Sequence, residues 1–280
     1  MRIFAFSDLH TDFAENRRRL QQISSNHYLR DVVVAPGDIA DDLEIIAWTL
    51  RLLRSKFGKV FYVPGNHELW VRNAPGDSIE KFLRILLLCD EIGIYTRPAR
   101  VGKTWIVPLF SWYESGFDDD HSADSSALEG WADFYFCKWP DEIHSAAEYF
   151  LKINEPNIRD YNGPVITLSH FLPRRELLPP VSKLSFKGLP LVAGDPALDR
   201  QIRALNSVLH VFGHSHINYD QVIDGVRYVH NAFGYPREDG ASNFCLKLIR
   251  DADDHESSES NCSPLEPSPL PTPLRRPTQR

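Results

Sequence analysis

Short apolar runs of β-like composition alternate with helical patterns along most of the chain. Arg2 to Ser7 reads as a buried strand, and Asn16 to Ile23 as a helix with Leu20 and Ile23 on one face. Asp31 to Ala35 predicts a second strand. The helix that follows, about Leu43 to Phe57, carries Leu43, Ile46, Leu50 and Leu53 at helical spacing. Asp41 and Asp42 stand before it, where acidic residues suit a helix N-terminus. Val60 to Val63 predicts a third strand, and Pro64-Gly65 turns the chain out of it. Further on, helices are expected over Ile79 to Leu88, Asp141 to Ile153 and Asp195 to Leu205. Strands are expected within Val101 to Phe110, broken at Gly102-Lys103, and over Pro164 to Ser169 and Val208 to Phe212. Asp224-Gly225 is a hairpin signal between Val222-Ile223 and Val226 to His230, and Phe244 to Ile249 closes the series. Strand, loop and helix in repetition predict an α/β fold with a parallel core and right-handed crossovers.

Three stretches break the rhythm. Residues of about 111–140 mix an acidic cluster (Asp118, Asp119, Asp120, Asp124) with an aromatic one (Trp131, Phe134, Tyr135, Phe136, Trp139), and read as an insertion near a site mouth. The Asp118–Asp120 run is expected to be a solvated face. Phe171 to Leu191 contains Pro173, Pro179, Pro180 and Pro190 with no clear period, which predicts a long loop of the functional kind. Residues 251–280 are rich in Ser, Pro and acidic residues and poor in large apolar ones. They cannot bury enough surface to offset their ordering entropy, so one domain over 1–250 and a disordered tail are expected. Proline segments of the tail suit either docking on a protein partner or simple solvation.

Composition narrows the class. At 280 residues and 42% hydrophobic, the chain can build a sizeable core. A formal net charge of −7 disfavours a general nucleic-acid binder, but bound cations would still allow a phosphorylated substrate. Cys89, Cys137, Cys245 and Cys262 are far apart, which suggests neither a disulfide framework nor a zinc finger. A reduced, cytoplasmic setting is expected. The first strand begins at Arg2, leaving no room for a cleavable leader, and no apolar run is long enough to span a bilayer.

The candidate chemistry gathers after the strands. Asp8, His10, Asp38, Asn66, His170, His214 and His216 each follow an apolar β-like run. At the carboxyl ends of strands, such side chains point into the crevice where open α/β sheets bind ligands. Carboxylate, imidazole and amide oxygen together suit Mn, Fe or Zn. Seven donors are too many for one ion and about right for two, an arrangement that clamps a phosphoryl centre.

The motifs D-x-H (Asp8, His10), G-D-x-x-D (Asp38, Asp41), G-N-H-E (Gly65 to Glu68), a lone His170 and G-H-x-H (His214, His216) occur in that order. Together they resemble the calcineurin-like metallophosphoesterase superfamily. The resemblance implies a four-layer α/β/β/α sandwich of two mixed sheets flanked by helices. It also implies that Asp8, His10 and His216 hold one metal, that Asn66, His170 and His214 hold a second, and that Asp38 bridges them with a bridging hydroxide as nucleophile. His67 would face the substrate, stabilise charge on the phosphoryl group and protonate the leaving oxygen, while Asp41 would orient His67 and raise its pKa. The implied activity is hydrolysis of a small phosphodiester or phosphomonoester. The alternative is a protein-binding scaffold that keeps the fold without catalysis.

Other residues carry paired readings. Arg174 or Arg175 would grip the substrate phosphate with a guanidinium fork, or both are surface arginines. Trp112 and Tyr113 would line the pocket, or pack in the core. For His210 and His230, core or edge packing is expected, and Asn231 is a lesser candidate for the site rim.

Overall fold

Successive residues of the first three strands part to opposite sides, and this alternation builds the layers. The computed structural model describes residues 1–72, 75–119, 121–238, 245–253 and 262–264. β1 (Arg2–Ala5), β2 (Val32–Pro36) and β3 (Lys59–Val63) run parallel, joined through α1 (Ala14–Gln21) and α2 (Leu43–Lys56). Ile3, Ala5, Val32, Val34, Phe61 and Val63 face one way, into a core shared with a second sheet. Phe4, Phe6, Val33, Ala35, Val60 and Tyr62 face the other way, against Leu20 of α1 and Ile46, Leu50 and Leu53 of α2. Each Val, Leu, Ile or Phe among them, fully buried, is worth about 1.5–3 kcal/mol.

The second sheet has the order β4 (Ala99–Val101), β5 (Thr104–Pro108), β6 (Val165–Leu168), β7 (Ser207–Val211), β9 (Val226–His230), β8 (Tyr219–Ile223). β5, β6, β7 and β9 are parallel, whereas the edges β4 and β8 are antiparallel. Asp224 and Gly225, both at positive φ, close the β8–β9 hairpin, the conformation such a two-residue turn requires. β10 (Cys245–Asp251) pairs antiparallel with β1, so the first sheet is mixed as well.

Helices cover the outer faces. α4 (Ser78–Ile92), capped by Asp77, adds Ile85 and Cys89 to the layer on the first sheet. α7 (Pro196–Ala204), capped by Asp195, lays Leu198 and Ile202 on the second. Beside α7 the fourth layer is made of loop: Leu172, Leu177, Leu184 and Leu189 of the long connection fill the same core. Between α4 and α7, α5 (Ala132–Phe136) belongs to the insertion, and α6 (Ala146–Asn154) closes the inter-sheet core with Phe150. Among the described residues, no helix is long and apolar enough to cross a membrane.

Two expectations need correction. The run after residue 250 is not uniformly irregular: β10 reaches Asp251, and β11 (Cys262–Pro264) pairs with β10 as an edge strand. The rest of that stretch lies outside the described residues. Of the acidic run, Asp119 is exposed as expected, but Asp118 is buried rather than solvated, its Oδ2 accepting from the Ala123 amide at 3.1 Å, because a tight turn folds over it; Asp120 lies outside the described residues. In addition, Cys245 is disulfide-bonded, which qualifies the reading of the cysteines as unpaired, while Cys89 and Cys137 are free.

Candidate metal centre

The loops that leave β1, β2, β3, β6 and β7 meet at one end of the two sheets and bond to one another. The Asp8 amide donates to the Gly37 carbonyl, the His10 amide to that of Asp38, and the Gly213 amide to that of His170. Asp8, His10, Asp38, His214 and His216 all have positive φ. Such conformations are uncommon outside glycine and costly to hold, and they aim successive side chains inward. Two glycines leave the space. A β-carbon on Gly65 would stand 2.2 Å from Asp38 Oδ1, and one on Gly37, itself at φ 70°, would stand 2.6 Å from His170 Nδ1.

The donor atoms fall into overlapping groups: Asp8, His10 and His216; His10, Asp38 and His67; Asp38, His170 and His214. Within each group they lie within 4.8 Å of one another. Asn66 joins the third, its Oδ1 standing 3.1 Å from His170 Nε2 and 3.2 Å from His214 Nδ1. Asp38 is thus common to both sides.

Whether these atoms suit a cation can be judged from their outward bonds. His170 Nδ1 donates to the Pro36 carbonyl at 3.1 Å, so its Nε2 presents a lone pair to the site. His216 Nδ1 donates to Glu238 at 2.8 Å, which leaves Nε2 as the nitrogen aimed at the site. Asn66 Nδ2 donates to Asp133 Oδ1 at 2.9 Å, which turns the amide oxygen inward. His170 Nε2 and Asn66 Oδ1 then face each other at 3.1 Å, both as acceptors. Lone pairs facing one another in a buried pocket repel unless a cation lies among them, so the donor set fits metal.

Electrostatics divide the two aspartates. Burial pushes Asp8 up, but the His230 hydrogen bond and the fields of His216 and His230 hold it well below the usual carboxylate range. Asp38 is pushed well above that range by burial and by the charges of Glu68 and Asp8. His10 and His214 are held well below the ordinary histidine value by burial and neighbouring imidazoles. His216 is raised: burial opposes its charge, but Glu238 and Asp8 outweigh it.

His67 stands on α3 (Asn66–Leu69), at the start of which the Glu68 carboxylate accepts from the amides of Gly65, Asp38 and Ile39. This one side chain ties the loops after β2 and β3 together. The His67 ring stacks on Trp70 at 3.8 Å, and its Nε2 lies 3.8 Å from Asp38 Oδ2 and 3.4 Å from the Tyr235 hydroxyl. Burial, His170 and His216 lower its pKa to about 3.

Several expectations about the surroundings fail. The Asp41 carboxylate pairs with Arg72 Nε at 3.0 Å and lines an adjoining cleft with Arg72 and Arg84. It does not raise His67, whose pKa is lowered, because Arg72 takes its charge. Arg174 is committed to Glu176, Asp199 and Asp224, at 2.7, 3.6 and 2.9 Å, and is no phosphate fork. Arg175 stands in a turn of the same loop and is not among the residues lining the metal cleft. Trp112 is buried against Tyr113, Trp139 and Phe171, so the core reading holds for it. Tyr113 packs beside that core and bonds to Asp133. Asn231 donates to the Ala5 and Cys245 carbonyls and staples β1 to β10 instead of reaching the rim.

Other residues escaped sequence reasoning. His230 Nε2 bonds Asp8 Oδ2 at 2.9 Å, whereas His210 is the structural one, bridging Thr167 and Ser169. The signal for His230 was its place at a strand end, which the ligands share. Asp133 receives Asn66, Trp70 Nε1 at 2.6 Å and Trp131 Nε1 at 3.1 Å. A single acid inside an aromatic cluster was its only trace in the sequence. Tyr235, stacked on His10 at 4.1 Å, and Glu238 left none.

Residues 1–218 match the family model of the calcineurin-like phosphoesterases. The chain is 31% identical over 267 residues to the [acyl-carrier-protein] phosphodiesterase PptH of Mycobacterium tuberculosis, covering 84% of this chain and 78% of that protein. The crystal structure of the phosphopantetheinyl hydrolase PptH from the same organism superposes with a TM-score of 0.69 at 26% identity, over 84% of this chain and 90% of that one.

Proposed function

The chain belongs to the calcineurin-like phosphoesterase family, and from that premise we propose that it is a phosphodiesterase with two cations, of Mn, Fe or Zn. Its substrate is the diester that joins a phosphopantetheinyl group to an acyl carrier protein, the chemistry for which its mycobacterial relative is named. The observation that carries the two-cation reading is the pair of donor groups sharing the neighbourhood of Asp38. In this reading Asp8, His10 and His216 hold one ion, Asn66, His170 and His214 the other, and Asp38 both. Such a pair of cations neutralises phosphoryl charge and makes water a nucleophile near neutral pH.

The protein's own groups do the rest. His67 faces the phosphoryl position with Nε2, on a ring braced by Trp70. Its depressed pKa leaves it neutral in the free site, and the negative charge of an arriving diester favours protonation. Water oxygen adds to phosphorus, the P–O bond to the carrier protein breaks, and His67 gives its proton to the departing oxygen. The proton lost by water leaves to solvent. Buried Glu68, Asp133 and His230 hold the reacting groups without touching the ester.

The test is elemental analysis of the purified protein, together with mass spectrometry of a holo carrier protein incubated with it and Mn²⁺. Two metals per chain and loss of the phosphopantetheinyl mass are expected. Metal binding with an intact holo carrier protein and turnover of simple diesters would leave a phosphodiesterase of another substrate.

A further inference from the structure

The cleft of about 490 Å³ that opens over the metal centre has one wall with no part in the chemistry above. Asp38, Asn66, His67, His214 and His216 line one end, and Trp131, Phe186, Leu184, Leu189 and Pro179 line the other. We propose that this second end grips the uncharged, amide-bearing chain of the phosphopantetheinyl arm, a proposal that rests on the substrate reading above. The insertion and the long loop thereby determine specificity.

Four observations support it. Trp131 and Phe186 stack with ring centroids 5.3 Å apart and planes 9° apart, so one segment's ring is fixed by the other's. The Trp131 indole N–H is used by Asp133, so the side chain has only apolar surface left to offer. Its ring stands edge-on to His214 at 6.3 Å, and the apolar wall therefore begins directly beside the metal donors. Leu184 and Leu189 are buried and the Asp124 amide bonds the Lys187 carbonyl, which holds loop and insertion together and keeps the wall preformed. A flexible chain crossing a preformed apolar wall gains burial without inserting. Exposed Lys183 and Ser185 at the mouth supply donors for amide carbonyls.

Phe186→Ala, in the metal-loaded full-length protein, tests the wall without touching Asp133. The KM for a holo carrier protein should rise about tenfold, equivalent to about 1.4 kcal/mol of lost binding. Turnover of methyl p-nitrophenyl phosphate, a diester without the arm, should stay within about twofold. Pantetheine, which has no phosphate to cleave, should inhibit that turnover in the native protein and about tenfold more weakly in Phe186→Ala. Equal losses on both substrates, or no inhibition by pantetheine, would overturn the subsite even if the carrier protein is cleaved. Inhibition that depends on Phe186, in a protein that leaves the carrier protein intact, would keep the subsite and overturn the substrate.

Discussion

Asp8 and Asp38 follow neighbouring parallel strands, lie at the same depth and share the left-handed backbone, yet their surroundings are opposite. Asp8 is surrounded by donors: the Ser7 hydroxyl, His230 Nε2 and the His214 amide. It is ionised well before neutrality. Asp38 faces Glu68, Asp8 and Asp133, with the His67 amide as its donor, and burial makes its charge costly. The protein itself therefore favours the charge of one carboxylate and opposes that of the other, which cations would favour. The two sides of the centre are also braced by different shells, His230 and Glu238 for one, Asp133 and Pro36 for the other.

The most damaging test of this contrast is Asp38→Asn. Removing the shared carboxylate should weaken both ions, by more than the ~10–100-fold typical of losing a residue that only positions a ligand. Retention of two tightly bound metals in elemental analysis would show that the two sides do not meet at Asp38. His67→Ala separates binding from chemistry: metal content should stay at the native level while turnover drops by ~10²–10⁴-fold. A variant that lost its metals would make His67 a ligand.

Next come the braces, which should act on one side each. His230→Ala should weaken the ion at Asp8, and Asp133→Asn the ion at Asn66, each by ~10–100-fold in calorimetric titration. If both variants lose the same ion, the independence of the two shells is wrong.

The smallest effect concerns protons away from the ligands. Burial lowers the His210 pKa to about 3. Below the ordinary value of about 6.5 the unfolded chain binds a proton that the folded one refuses, so stability falls with pH through that value and levels off near the folded one. The slope is about 1.4 kcal/mol per pH unit for this group, or roughly 2 kcal/mol between neutral pH and pH 5. Denaturant titrations of chelator-treated protein at pH 7 and pH 5 should show a smaller loss in His210→Gln. An unchanged difference would mean that His210 is charged when buried.

How much of this could be read in advance varies by element. The apolar runs and helical patterns located β1, β2, β3, α2 and α7 within a residue or two, because each is buried in a core that the pattern itself describes. Asp224-Gly225 was legible as a turn because its backbone demand is local. Polar residues placed after strands marked the end of the sheets where the ligands converge. The arginines were misleading: a guanidinium beside a motif reads as a phosphate fork, but Arg174 is held by nearby Glu176 and by two carboxylates distant in sequence, Asp199 and Asp224. Asp41 misled for the same reason, since Arg72 takes its charge.

The chain by itself determined the α/β class, the family and the residue types available at the strand ends, all of which depend on spacing along one segment at a time. Only the tertiary structure decided which side chains meet. The Glu68 clasp, the Asp133 anchor, the His230 bond to Asp8 and the Trp131–Phe186 wall each join segments separated in the sequence. Charge pairing and burial depend on distance through space, and the folding of the loops over the sheet ends sets those distances.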